Sequence, residues 1–110
     1  MSTRGNVVIV EDDQPKLYFY SHYDSYDLPE TVANALDRGR DRWDYEPYLN
    51  RILFSEMIKD NVLRNNGFGI DTVKGDGGIE VYVDPTNQTV KFNNTTYHFE
   101  DFIETYRTKD

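Results

Sequence analysis

At 110 residues the chain has room for a single modest core and is read as one domain, residues 1–110. Its 20 acidic side chains against 12 basic ones leave a net charge of −8, which excludes non-specific nucleic-acid binding and attachment to an anionic membrane, since both need clustered Lys and Arg. With no cysteine, disulfides and thiolate metal sites are excluded, and no run nears the roughly 20 apolar residues of a bilayer span.

Aromatics make up 15% of the chain, so a core built heavily from Tyr and Phe is expected. Met1-Ser2-Thr3-Arg4-Gly5-Asn6 lacks the apolar stretch of a secretion signal, and the expected location is the cytoplasm. Asn6 to Val10 is an apolar run ending in the turn formers Glu11-Asp12-Asp13-Gln14-Pro15, and Lys16 to Ser21 resumes an extended pattern. The two predict a β-hairpin. Because antiparallel partners reverse direction, Thr3, Arg4 and Asn6 should lie near His22 and Asp24.

Pro29, the helically spaced Val32, Ala35 and Leu36, and Gly39 just beyond them predict a short helix. After the charged break Arg38 to Arg42, Asp44 and Pro47 open a longer helix to about Asn61, with Leu49, Ile52, Leu53 and Met57 buried and Glu56, Lys59 and Asp60 outside. Asn65-Asn66-Gly67-Phe68-Gly69 stops it, and Gly75-Asp76-Gly77-Gly78 reads as a flexible turn. Gly78 to Val83 and Thr89 to Phe92 alternate about the turn Asp84-Pro85-Thr86-Asn87, a second hairpin. Thr95 to His98 adds a short strand, Phe99, Phe102, Ile103 and Tyr106 give a last helix its apolar face, and residues 107–110 are expected to fray. The order ββααβββα predicts an α+β domain, an antiparallel sheet of two hairpins with two to three helices mainly on one face.

Leu17-Tyr18-Phe19-Tyr20-Ser21-His22-Tyr23-Asp24-Ser25-Tyr26 is the densest stretch chemically, with five aromatics, a histidine and an aspartate at a strand exit. Such residues build recognition surfaces, because Tyr supplies contact area and a hydroxyl at low entropic cost. Arg4, Asn6, His22, Tyr23, Asp24, Tyr26 and Asp27 are therefore the candidate binding residues. Were the protein an enzyme, His22 would act as base, Asp24 would orient it, Thr3 would supply a hydroxyl and Arg4 would grip an anion. The commoner outcome for such residues is an Arg4–Asp24 ion pair with His22 capping a turn. An amine-activated hydroxyl at Ser2 or Thr3 rests on commonplace residues.

Gly75-Asp76-Gly77-Gly78 is neither an EF-hand, because Val73 and Gly75 stand where oxygen ligands are needed, nor a Walker loop. Two histidines without cysteine give no zinc site, so neither metal nor cofactor is expected. The scattered carboxylates fit a solvated surface first and imitation of nucleic-acid charge second.

Met1-Ser2-Thr3-Arg4-Gly5-Asn6, paired with His22-Tyr23-Asp24-Ser25-Tyr26, resembles a loosely defined set of small bacterial and phage or prophage proteins of unassigned function. Their pattern is a Thr-Arg-Gly or Thr-Arg-Ala start, a strand pair, and an Asp-Ser-Tyr-Pro or Asp-Gly-Tyr-Pro turn before a helix. Here Asp27-Leu28 intervenes before Pro29. The resemblance covers about the first forty residues, and Gly75 to Tyr82 adds a further match. It implies a phage or mobile-element context and no known activity.

These readings converge on a non-enzymatic acidic interaction module, a phage accessory or anti-defence factor binding a basic or nucleic-acid-binding host protein. The alternative is a binder or hydrolase of a nucleotide-like anion at Arg4, His22 and Asp24. A third reading is a homodimer through a sheet edge bearing Tyr82 and Phe92.

Overall fold

The computed structural model describes residues 4–22, 25–63, 67–75 and 78–108. Six strands, β1 (Gly5–Glu11), β2 (Gln14–Ser21), β3 (Phe68–Asp71), β4 (Ile79–Asp84), β5 (Thr89–Phe92) and β6 (Thr95–His98), form one sheet in the order β3-β2-β1-β4-β5-β6. Three helices accompany them, α1 (Leu28–Arg38), α2 (Glu46–Ile58) and α3 (Phe99–Tyr106). The α+β class holds; the antiparallel sheet does not. β1 pairs antiparallel with β2 but parallel with β4, from Gly5 opposite Ile79 to Ile9 opposite Val83, which makes the sheet mixed. β1 is the strand with neighbours on both sides in different directions, and its residues Gly5 to Ile9 are all buried. An apolar run of that kind is covered on both faces and takes a central place, with neighbours on either edge.

The element order is ββααββββα rather than ββααβββα, because Phe68–Asp71 forms a strand beside β2 where the glycines around Phe68 predicted only a stop. Gly69 faces Tyr20 across that ladder, and nothing would meet a Cβ there, so it is tolerated without being required. α2 ends at Ile58, three residues before the expected Asn61, whose N–H closes a turn on the Ile58 carbonyl at 2.7 Å.

The helices cover one face of the sheet. Val7, Ile9, Phe19, Val81, Val83 and Val90 point into it and meet Val32, Leu36, Leu49, Leu53, Phe102 and Ile103. This core is mainly aliphatic, against the expectation of a Tyr-rich one. Phe19, Phe99 and Phe102 are its buried aromatics, while every described Tyr stays half-buried or exposed. A tyrosine hydroxyl needs a partner when buried, which keeps these rings at the margins. Trp43 fastens the helical layer: its indole N–H donates to the Leu36 carbonyl at 2.9 Å, and its ring lies edge-on to Phe99 at 5.2 Å.

The expected frayed tail is anchored as far as Thr108. Its N–H donates to Oδ1 of Asn34 on α1 at 2.9 Å, and its hydroxyl accepts from the same amide at 2.8 Å.

Candidate functional site

Side chains alternate along a strand, so Asn6 and Val8, between the inward Val7 and Ile9, face away from the helices, as do Tyr18, Tyr20, Glu80, Tyr82, Lys91 and Thr96. The register lines up Asp71, Tyr18, Val8, Tyr82, Lys91 and Thr96 in one row across all six strands. Val8 is wholly buried in this row although no helix covers it. Its neighbours in the row are Tyr18 and Tyr82.

β3 and β4 are separated by two strands, β2 and β1. Of the connection between β3 and β4, Lys74 and Gly75 lie against the face without helices. The Asn6 side-chain N–H donates to the Gly75 carbonyl at 3.4 Å, and a Cβ on Gly75 would stand 2.3 Å from Cδ1 of Tyr20. Lys74 ion-pairs with Glu80, and the Tyr82 hydroxyl donates to the same carboxylate at 2.8 Å. This connection is a strap pinned to the sheet. Gly78 closes it in the left-handed region, with φ +135°, where a Cβ would meet the Arg4 carbonyl at 2.1 Å. Of the expected flexible turn Gly75-Asp76-Gly77-Gly78, Asp76 and Gly77 lie outside the described residues, while close approach requires Gly75 and Gly78.

Two opposed effects set the Glu80 carboxyl. Burial pushes its pKa up, and the bonds from Lys74 and Tyr82 more than offset this, leaving it below the ordinary 4.5. The same carboxylate, aided by burial, raises the Tyr82 phenol above 10.0.

Beyond the strap, β4, β5 and β6 floor an open groove of about 820 Å³ whose walls include Val10, Asp13, Tyr82, Asp84, Lys91 and Thr96. Asp84 is committed to its turn, accepting from the Asn87 backbone at 3.1 Å and side chain at 2.8 Å. Lys91 is exposed, and among the described residues its ammonium has neither ion pair nor hydrogen bond. The groove is thus a polar concavity with one aromatic wall and one available cation.

Of the residues predicted as a site, Thr3, Tyr23 and Asp24 lie outside the described residues, and with them the Arg4–Asp24 pair. The predicted proximity of the β1 start and the β2 end is present, with Gly5 opposite Ser21. Arg4 is exposed and its carbonyl accepts from Ile79 N at 3.0 Å. Asn6 is wholly buried, with Oδ1 lacking a partner among the described residues. The His22 backbone N–H extends the ladder by donating to the Gly67 carbonyl at 2.8 Å, and its Nδ1 stands 3.1 Å from the Tyr20 hydroxyl. Tyr26 is 76% exposed in the 3-10 turn before α1, and Asp27 lines a different cleft on the helical side, with Ser21, Thr31 and Met57.

Sequence reasoning missed Tyr18, Lys74, Glu80 and Lys91 as members of one face. The Glu80-Val81-Tyr82 alternation marks two of them, but nothing local tells that Tyr18 and Lys91 share their row. Tyr82 and Phe92 are not edge residues, because β4 and β5 each have neighbours on both sides, and the Phe92 ring packs on Tyr106 at 5.6 Å. The sheet edges are β3 and β6.

Among the described residues no three His, Asp or Glu side chains converge as for a metal ion, and no helix is long and apolar enough to cross a membrane. No protein-family model, no curated protein and no solved structure matches the chain.

Proposed function

We propose that the chain is an interaction module that binds a protein partner through the strap-side face of its sheet. The observation behind this reading is the row of Tyr18, Tyr82, Lys91 and Thr96 on the one sheet face that no helix covers. Tyr82 offers ring area held in place by its bond to Glu80, and Lys91 offers a charge without a partner of its own among the described residues. Rigid aromatics beside available polar groups are the composition of recognition surfaces. The net charge of −8 favours encounter with a basic partner. On the N-terminal resemblance, that partner is a protein of the host of a phage or prophage.

The test compares the native protein with a Lys91→Glu, Thr96→Arg double variant as baits in a bacterial lysate. Both positions are exposed, so the fold is spared. A stoichiometric partner that salt releases and the variant fails to capture supports the face. Equal capture by both baits rejects it. A retained small anion that Arg4→Ala abolishes replaces the reading with the anionic-ligand one.

A further inference from the structure

The outer edge of β3 carries a second surface, independent of the strap-side face. His22 N–H bonds the Gly67 carbonyl at 2.8 Å, and the register then places Tyr20 opposite Gly69 and Tyr18 opposite Asp71. Hydrogen-bonded pairs alternate in an antiparallel ladder, so Gly67, Gly69 and Asp71 turn their backbone groups toward β2. Phe68 and Ile70 turn theirs outward, where among the described residues the sheet has no further strand. Beside this edge, on the helical side, Leu17, Phe54 and Ile70 line an apolar groove under α2, and Ile70 is 54% exposed. Arg51 stands on the groove wall, exposed and without an ion-pair partner among the described residues. Oδ1 of Asn50, also on the wall, is buried without a hydrogen-bond donor.

We infer that the β3 edge accepts an extended segment of a partner protein as a seventh strand. Its backbone bonds Phe68 and Ile70, an aliphatic side chain enters the Leu17–Phe54–Ile70 groove, and a carboxylate on the same face of the segment meets Arg51. Strand addition draws affinity from main-chain bonds and specificity from the pockets that alternate side chains fill. Charge complementarity selects the occupant. An apolar slot bounded by an unpaired guanidinium and a donor-seeking amide fits a segment that alternates apolar residues with an acidic one, and repels a basic one. A second copy of this chain would have to bring two like-charged Arg51 walls to one joint.

The probe is a panel of ten-residue peptides with valine at every second position, each carrying one glutamate in place of a valine, and a matched panel with lysine instead. Backbone amide signals of the native protein are followed by NMR during titration. Binding should shift and protect the Phe68 and Ile70 amides with the glutamate panel and weaken about fivefold with the lysine panel. Arg51→Glu should invert that preference. Ile70→Pro removes an outward N–H that the β2 ladder does not use, so the fold should persist while binding falls about tenfold. No shift at Phe68 and Ile70 with any peptide at millimolar concentration would overturn the inference, as would a preference that Arg51→Glu leaves unchanged. Protection of these amides that rises with protein concentration alone would overturn it in favour of self-pairing.

Discussion

A methyl group on Gly75 would stand 2.3 Å from Cδ1 of Tyr20, a ring held by the bond between its hydroxyl and His22. Gly75→Ala must therefore lift the strap or displace the ring, at a cost of about 1–3 kcal/mol. Gly78→Ala should cost more, because it meets the Arg4 backbone at 2.1 Å and imposes a φ of +135° on a residue with a Cβ. Urea denaturation of the two variants checks the order. Glu80 gives the strap a pH dependence. Its folded pKa lies below its ordinary 4.5, so its contribution is complete above that value and is lost as pH falls through the depressed one. Glu80→Gln should cost about 1 kcal/mol at neutral pH, and the difference in urea midpoint from the native protein should shrink as pH is lowered below 4.5.

Among the elements, α2 departs furthest from simple amphipathicity. Leu49, Leu53 and Met57 are buried, while Ile52, Phe54 and Ile58 flank them half-buried, so apolar surface wraps most of the helix. A helix of that kind normally has cover on both sides. α1 and the sheet supply one side, and Arg38 ties the two helices by donating to the Ile52 carbonyl at 3.3 Å and pairing with Glu56 at 3.1 Å. The side toward β3 ends in the groove beneath Phe54. Leu53→Ala should destabilise by about 2–5 kcal/mol through the cavity it leaves, as measured by thermal unfolding. Loss of the exposed Arg51 should leave stability within about 0.5 kcal/mol.

The whole molecule is closed by contacts between distant parts of the chain. The parallel β1–β4 ladder joins Gly5 to Ile79, and the bonds between Thr108 and Asn34 fix the end of the chain to α1. Ordering the intervening chain costs entropy before such contacts form. Val81→Ala, in the parallel ladder, should therefore act mainly by speeding unfolding, leaving the refolding rate in stopped-flow fluorescence within about twofold. Ending the chain after Tyr106 removes the Arg107 cap on the Ile103 carbonyl and both bonds to Asn34, at a cost of about 1–2 kcal/mol in urea. Arg40, which bridges Asp37 at 2.8 Å and Glu100 at 2.6 Å, joins α1 to α3 at the surface, where salt weakens it.

The local sequence by itself determined both hairpins, because the turn formers Glu11 to Pro15 follow an apolar run and precede an extended one, and Asp84 to Asn87 separate alternating runs; it also placed three helices by their apolar spacing and by Pro29, Gly39 and Pro47. It also placed the start of β1 beside the end of β2, since hairpin geometry alone requires it. It left β3 hidden, because Phe68-Gly69-Ile70-Asp71 is short, glycine-containing and stable only on β2. The direction in which β4 meets β1 was equally out of reach. Parallel pairing of segments so far apart depends on tertiary packing, which no local pattern encodes. Only the tertiary structure could put Tyr18, Tyr82, Lys91 and Thr96 in one row, because neighbours in a sheet are chosen by strand order, and strand order is a property of the packed chain.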